Sequence, residues 1–217
     1  MEKYKRNIQG VICILFAVVL LATSCKKDDY LTDGGTSTAE TPLTTYDYLA
    51  AHQGKLFDTL LLVVDHYQLK TEINSAGTFF APTDYSIKSY LTSKQNQARL
   101  IDPNAIYGLA EMYDQLPADS VRMYLFNEKI TLNSVTTAPV KYTSKANTEA
   151  FFNKVLQTDP QYYVWSSEPV YFLFYGKQYG SLTTNVQCQT TGILTQSGNG
   201  TVLNVLRNTH QFISFSL

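Results

Sequence analysis

A short apolar run that ends at a proline sets the strongest limit on the architecture of this chain. Thr78–Ala81 reads Thr-Phe-Phe-Ala, which is typical of a short strand buried on both faces. Pro82 ends that strand, and Thr83 followed by Asp84 favours the start of a helix. A buried strand that turns sharply into a helix predicts a domain that combines helices with a sheet.

Helical periodicity precedes this strand. Apolar residues recur at helical spacing from Leu49 to Tyr67, which predicts one apolar helix face. Thr44 and Asp47 have the spacing of a capping box at the start of this segment. Gly54 lies inside it and weakens a continuous helix. The segment is therefore either one amphipathic helix or two short helices separated at Gly54.

Two more helices are predicted in the middle of the chain. Asp102 has the character of an N-cap and Pro103 that of a first helical residue, so a helix is expected to run from there to Leu116. A second helix is expected over 121–126.

The C-terminal part is predicted to contain two strands. Asn199 and Gly200 form a dipeptide that favours a tight turn with positive φ. Val202–Leu206 is apolar enough for a buried strand, and His210–Phe215 alternates in a way that predicts a last strand.

Two blocks of this sequence resemble conserved blocks of the fasciclin (FAS1) domain family. Gly77–Leu91 (GTFFAPTDYSIKSYL) is similar to the first block, and Cys188–Phe215 is similar to the closing unit of strand, Asn-Gly turn and strand. The resemblance covers about residues 43–217 and is weakest over 137–165. It implies a single domain of the α+β class, a wedge of two β-sheets with flanking α-helices.

One position departs from the family pattern. In the family, a Tyr-His pair ends a helix, and this pair has been tied to adhesion. The present chain has Tyr124 but carries Leu125 where the histidine would stand. Tyr124 is therefore either a ligand contact or a residue of the core.

The first 24 residues have the pattern of a secretory signal. Lys3, Lys5 and Arg6 form a basic start, and Val11–Ala22 is an unbroken apolar run of 12 residues. Such a run is shorter than the roughly 20 residues that a membrane-spanning helix needs. We therefore expect residues 1–24 to be a signal peptide.

The residues that follow resemble the lipobox of bacterial lipoproteins. Leu21-Ala22-Thr23-Ser24 places small residues before Cys25, whose thiolate would accept the lipid. The alternative is an unmodified cysteine beside an ordinary cleavage site. Lipid attachment at Cys25 would hold the protein on the membrane with several acyl chains.

Residues 25–42 are expected to form the lipidated cysteine and a flexible tether. Lys26–Tyr30 (KKDDY) looks like an export tag for the outer face of the outer membrane, or it is a solvated charged segment. Leu31–Thr41 is rich in Gly, Ser and Thr, as flexible spacers are. The expected location is the outer membrane, with the domain facing either the cell surface or the periplasm.

Aromatic residues are concentrated in one segment of the domain. Eight of the eighteen residues from 162 to 179 are aromatic. One interpretation is a platform that contacts a sugar or a protein, with Tyr162, Trp165 and Tyr171 as candidate contacts. The other is a pair of core strands whose tyrosine hydroxyls reach solvent.

No catalytic or cofactor-binding pattern is recognisable in the sequence. It lacks the HExxH, CxxC and GxSxG motifs and a glycine-rich phosphate loop. Cys188 would be the one thiol left after signal removal and acylation, and we expect it to be buried and inert. The net charge of −1 argues against a nucleic-acid partner. We therefore expect no enzyme activity, cofactor or metal.

These observations lead to two functional expectations. The first is a lipid-anchored, non-catalytic adhesion or binding module of the cell envelope, with an envelope protein or polysaccharide as its ligand. The alternative is a glycan-binding accessory lipoprotein of an outer-membrane polysaccharide uptake system. Fold class alone does not choose between them.

Overall fold

The computed structural model describes residues 40–164, 166–179 and 182–215. The predicted Cys25 lipid site and Trp165 lie outside these ranges. The strands within them are β1 (Thr78–Ala81), β2 (Leu125–Phe126), β3 (Val140–Thr143), β4 (Glu149–Leu156), β5 (Tyr171–Tyr179), β6 (Leu182–Leu194) and β7 (Val202–Leu206). The α-helices are α1 (Thr45–Ala50), α2 (Asp58–His66), α3 (Lys70–Ser75), α4 (Asp84–Arg99), α5 (Leu109–Gln115), α6 (Asp119–Arg122) and α7 (Pro160–Tyr163).

The strands form one sheet in the order β2-β1-β7-β6-β5-β4-β3. β1 and β7 are parallel, and every other neighbouring pair is antiparallel. The two ends of the sheet approach each other, because Phe126 of β2 bridges to Ser144 just after β3. The backbone N–H of Lys145 also donates to the carbonyl of Leu125 at 2.8 Å. The sheet is therefore nearly closed, like a barrel.

The predicted α+β class is confirmed, but the expectation of two separate sheets is wrong. β6 pairs with β5 through its first half and with β7 through its second half. Its register shifts twice, between Cys188 and Thr190 and again between Thr190 and Ile193. Such irregularities bend a strand, so β6 turns from one half of the sheet to the other without breaking the hydrogen-bonded network.

Aromatic side chains fill the interior of this sheet. Phe80, Phe126, Phe152 and Tyr175 come from four different strands and are fully buried. Phe152 lies at the centre, with ring centroids 4.6 Å from Phe80, 4.9 Å from Tyr175 and 5.1 Å from Phe126. Large rings at alternating strand positions can fill the space that a nearly closed sheet encloses.

The helices pack beside the sheet, and several follow the sequence pattern. The segment around Gly54 is indeed split, into α1 and α2. Thr44 is the N-cap of α1, and its hydroxyl oxygen accepts from the Asp47 backbone N–H at 3.2 Å. Within the described ranges, no helix has both the length and the apolar character needed to cross a membrane.

The prediction that a helix begins at Asp102 is wrong. α5 begins only at Leu109, and the residues before it form turns. The Asp102 carboxylate accepts from the Asn104 backbone N–H at 2.9 Å, which closes a local turn in place of a helix cap. The helix start is instead supported by Glu111, whose carboxylate accepts from the Gly108 N–H at 2.7 Å.

Two C-terminal predictions are also wrong in detail. The positive φ angles near the predicted Asn-Gly turn belong to Gln196, Ser197 and Gly198. The segment from His210 to Phe215 is irregular, because Ile213 adopts a φ of 56° that no strand allows. The strand β7 between these two places lies where it was predicted, and all five of its residues are buried.

Candidate binding groove

A groove opens in the sheet where β6 separates from β5. Pairing between these strands ends at Phe174 and Gln187. The next residue of β6, Cys188, pairs with Leu206 of β7. The first residues of β5 continue beside β4 alone, with Tyr171 opposite Leu156. The two strands therefore part at this point, and the space between them is not filled by backbone.

The first part of the groove is a cavity of about 430 Å³ with an aromatic wall. Tyr162, Tyr171 and Phe172 line it together. The Tyr162 and Phe172 rings meet edge to face, with centroids 5.0 Å apart. The Lys154 ammonium lies 5.1 Å from the centroid of the Tyr171 ring, which helps to fix that ring in place.

The opposite wall of this cavity is polar. It is formed by Gln187, Gln189, Thr191 and Arg207. Gln187 and Gln189 both belong to β6, and both line this cavity. The cavity therefore combines flat apolar rings on one side with amide, hydroxyl and guanidinium groups on the other.

The second part of the groove is a smaller and more polar cavity of about 250 Å³. Gln187 and Arg207 line both cavities, so the two share a wall. The smaller cavity adds Asn185 from β6 and further polar residues from the C-terminal segment: Thr209, His210, Gln211 and Ser214.

Hydrogen bonds to Gln187 hold Arg207 between the two cavities. Its backbone N–H donates to the Gln187 carbonyl at 2.9 Å, and its Nη1 donates to Gln187 Oε1 at 3.0 Å. In the described part of the chain it forms no ion pair. No aspartate or glutamate is among the described residues that line either cavity. Within this described lining, Arg207 is the one charged side chain, and it is positive.

His210 is the most deeply buried polar residue of the smaller cavity. Its side chain is only 2% exposed, and its Nε2 lies 2.8 Å from the Tyr124 hydroxyl. Its Nδ1 has no hydrogen-bond partner among the residues that the structure describes. Burial lowers the pKa of His210 to about 4, so the ring is neutral at pH 7.

The structure brings together only some of the residues predicted as ligand contacts. Tyr162 and Tyr171 line the same cavity, and Tyr162 is 41% exposed. Tyr124 lies elsewhere: it is fully buried and stacks on Phe212 with centroids 5.7 Å apart, as expected for a core residue. A ligand on the surface cannot reach the Tyr124 ring. The predicted contact Trp165 lies outside the described residues.

Several groove residues were not recognised in the sequence. Asn185, Gln187 and Gln189 form a run of polar residues with the period of a strand, and this alternation was a usable signal for a polar outer face. Arg207 and His210 gave no such signal, because they follow β7 in the chain and reach the groove only through the fold.

The cysteine of the groove is poorly suited to nucleophilic chemistry. Cys188 lines the aromatic cavity but is only 3% exposed, and burial raises the pKa of its thiol, which disfavours the nucleophilic thiolate. No group of three or more His, Cys, Asp or Glu residues within the described ranges is placed to hold a metal ion.

Comparison with protein-family models found no match for this chain, and comparison with curated proteins found no similar sequence.

Proposed function

We propose that this chain is a lipid-anchored protein of a bacterial cell envelope and that its fasciclin-like domain binds a ligand without catalysing a reaction. The observation that carries this proposal is the makeup of the groove. Its lining includes aromatic rings, amides, hydroxyls and one arginine, and none of the described lining residues is a carboxylate that could act as a general base. Its histidine is buried and hydrogen-bonded to a tyrosine of the core.

The membrane anchor is supported by the sequence. The basic start, the apolar run and the small residues before Cys25 together have the order of a lipoprotein signal. Acyl chains on Cys25 would give stable anchoring, since each buried CH₂ contributes about 0.8 kcal/mol. The outer membrane is the proposed site, with the domain at the cell surface or in the periplasm.

The proposal of a fasciclin-like domain rests on the two resembling blocks of the sequence, and the strands that they contain are neighbours in the sheet. β1 belongs to the block Gly77–Leu91 and β7 to the block Cys188–Phe215. These two strands are parallel neighbours, with Thr78 opposite Val202 and Ala81 opposite Val205. The two most family-like stretches therefore build the same part of the sheet.

The anchor is tested by metabolic labelling with palmitate. The wild-type chain is expected to incorporate the label and Cys25→Ala to lose it, whereas Cys188→Ala should label like the wild type. Persistent labelling of Cys25→Ala would refute the lipid site. Protease treatment of intact cells then distinguishes the two orientations, since a surface-exposed domain is digested before lysis and a periplasmic one only afterwards.

The binding role is tested by attachment assays. Cells that lack the protein are compared with cells that carry the wild type or Tyr171→Ala, and attachment to each other and to polysaccharide-coated surfaces is measured. We expect attachment to be lost both in cells that lack the protein and in cells that carry Tyr171→Ala. Tyr85→Ala is the matched control, because Tyr85 is an exposed tyrosine on α4 outside the groove. Unchanged attachment without the protein would refute an adhesive role.

A second candidate is a glycan-binding accessory lipoprotein of an outer-membrane polysaccharide uptake system. The combination of Tyr162 and Tyr171 with Gln187 and Gln189 favours it. Flat aromatic rings pack against the apolar face of a sugar, and amides both donate to and accept from its hydroxyls.

This second function is tested on a glycan array with the mature lipoprotein in detergent. Binding to at least one glycan class is expected, with a clear loss in Tyr171→Ala and in Trp165→Ala and no loss in Tyr85→Ala. An array without any signal, or one whose signal is indifferent to Tyr171→Ala, would exclude the groove as a glycan site.

A further inference from the structure

The position of Arg207 limits what the groove can accept. Its guanidinium is fixed by Gln187 at the wall that the two cavities share. Arg207 is exposed, and a neutral ligand would offer its guanidinium only neutral acceptors, whose hydrogen bonds are weaker than those of a charged group. A ligand with a carboxylate would pair with the planar guanidinium through two parallel hydrogen bonds.

This positive charge is local and does not belong to a generally basic surface. The chain has 17 Lys and Arg residues against 18 Asp and Glu residues. A polyanion would therefore gain little from the protein as a whole. In the groove, the described lining residues beside Arg207 include no acidic side chain, so a negative group would meet local attraction there.

The remaining groups of the groove fit a sugar ring and its hydroxyls. Tyr171 and Tyr162 supply flat surfaces on one wall, and Gln187 and Gln189 supply amides on the other. Sugar hydroxyls both donate and accept hydrogen bonds, so they can pair with either atom of these side-chain amides.

We propose that the groove binds an acidic glycan, namely a polysaccharide segment that contains a uronic acid. Its carboxylate pairs with Arg207, its ring packs on Tyr171, and its hydroxyls bond the amides of Gln187 and Gln189. This assignment rests on the proposed glycan-binding function and narrows it to one class of polysaccharide.

The test compares two forms of one polymer. Oligogalacturonate and its methyl ester have the same backbone and differ only in whether the carboxylate is free. Binding of each to the mature lipoprotein in detergent is measured by calorimetry at moderate salt. The free acid is expected to bind roughly ten-fold more tightly than the ester, as one charge-assisted pair at a partly exposed site predicts.

Variants assign that difference to single side chains. Arg207→Gln is expected to abolish the preference for the acid over the ester, so that the two forms bind this variant with equal affinity. Arg207→Lys keeps the charge without the planar fork and should retain part of the difference. Tyr171→Ala is expected to weaken the binding of both the acid and the ester. Arg99→Gln, an exposed arginine at the end of α4, is the matched control.

The outcomes separate this proposal from the glycan-binding function. Equal binding of acid and ester, unaffected by Arg207→Gln, would refute the uronate assignment and leave glycan binding intact. Binding of dextran sulfate as tight as that of oligogalacturonate would indicate a general response to polyanions and would also refute it. Absence of binding to any neutral or acidic glycan would refute both. Circular dichroism of each variant establishes that a loss of binding is not a loss of fold.

Discussion

The Tyr124 hydroxyl lies 2.8 Å from His210 Nε2, although the two residues are 86 positions apart in the chain. The same hydroxyl accepts a hydrogen bond from the Ile213 backbone N–H, also at 2.8 Å. Tyr124 thus fastens the irregular C-terminal segment to the core. Because His210 lines the polar cavity of the groove, this pair also links the core to the proposed binding surface.

Removal of the Tyr124 hydroxyl should destabilise the fold. Tyr124→Phe keeps the ring in the core but leaves His210 Nε2 and the Ile213 N–H without this partner. Unsatisfied buried polar groups cost about 1–3 kcal/mol, so the free energy of unfolding should fall by that amount. Urea unfolding followed by circular dichroism measures it. The exposed Tyr85→Phe serves as the control, and equal stability of wild type and Tyr124→Phe would contradict this role.

His210 should make the fold sensitive to mild acid. Burial lowers its pKa in the folded chain to about 4, whereas an unfolded histidine titrates near pH 6.5. Between these values the unfolded chain binds more protons, so the free energy of unfolding falls as the pH falls from about 6.5 to 4. The contribution of His210 is fully retained above that window.

The measurement is urea unfolding at several pH values across the window. The loss expected from His210 is roughly 2–3 kcal/mol. His210→Gln should flatten the pH dependence in this range, even if its stability at pH 7 is lower. A slope that is the same in the wild type and in His210→Gln would show that another group is responsible.

Features that depend on neighbouring residues could be predicted from the sequence. The strand at Thr78–Ala81 and the strand at Val202–Leu206 were recognised because each is a short apolar run bounded by turn signals. The helix break at Gly54 follows from local propensity. The C-terminal strand was misassigned because the alternation from His210 to Phe215 reflects two buried rings in an irregular segment that Tyr124 holds in place.

The groove residues also divide into those that the local sequence reveals and those that only the fold brings together. Tyr162 and Tyr171 were recognised as candidates because aromatic residues are dense around them. Arg207 and His210 were not, since what makes them important is the point at which β6 leaves β5. That point is set by the irregular register of β6, which the spacing of residues in the sequence does not reveal.

Asp84 shows how a local motif can act at a distance. Its carboxylate accepts from the backbone N–H groups of Thr59 and Leu60, each at 3.0 Å. These donors belong to the first turn of α2, whose own N-cap residue, Phe57, makes no side-chain cap bond. The Pro82-Thr83-Asp84 turn therefore caps the distant helix α2 as well as starting α4.

Replacement of Asp84 should accordingly weaken α2. Asp84→Ala removes the acceptor for two helix N–H groups and a negative charge at a helix N-terminus, so we expect a loss of about 1–2 kcal/mol in the free energy of unfolding. Asp84→Asn keeps one oxygen acceptor, so its free energy of unfolding should lie between those of the wild type and Asp84→Ala. Asp114→Ala, at an exposed position of α5, is the control. A loss no larger than in that control would rule out the capping role.

Gly77 is required because the backbone on either side of it is fixed. Its N–H donates to the Phe126 carbonyl at 2.8 Å, and its carbonyl accepts from the Val202 N–H at 3.0 Å. A Cβ at this position would overlap the backbone oxygen of Asn127 and lie 2.7 Å from the carbonyl carbon of Glu128. Since these are backbone atoms, no rotamer change can relieve the overlap.

Gly77→Ala should therefore reduce the free energy of unfolding by about 1–3 kcal/mol, the range for overpacking at a site that cannot relax. Gly54→Ala is the matched control, because a Cβ there would meet only the side chain of His52, which can move aside. Thermal unfolding of both variants gives the comparison. If Gly77→Ala and Gly54→Ala have the same melting temperature, the turn before β1 is looser than its hydrogen bonds to β2 and β7 imply. There would then be no steric reason for a glycine at position 77.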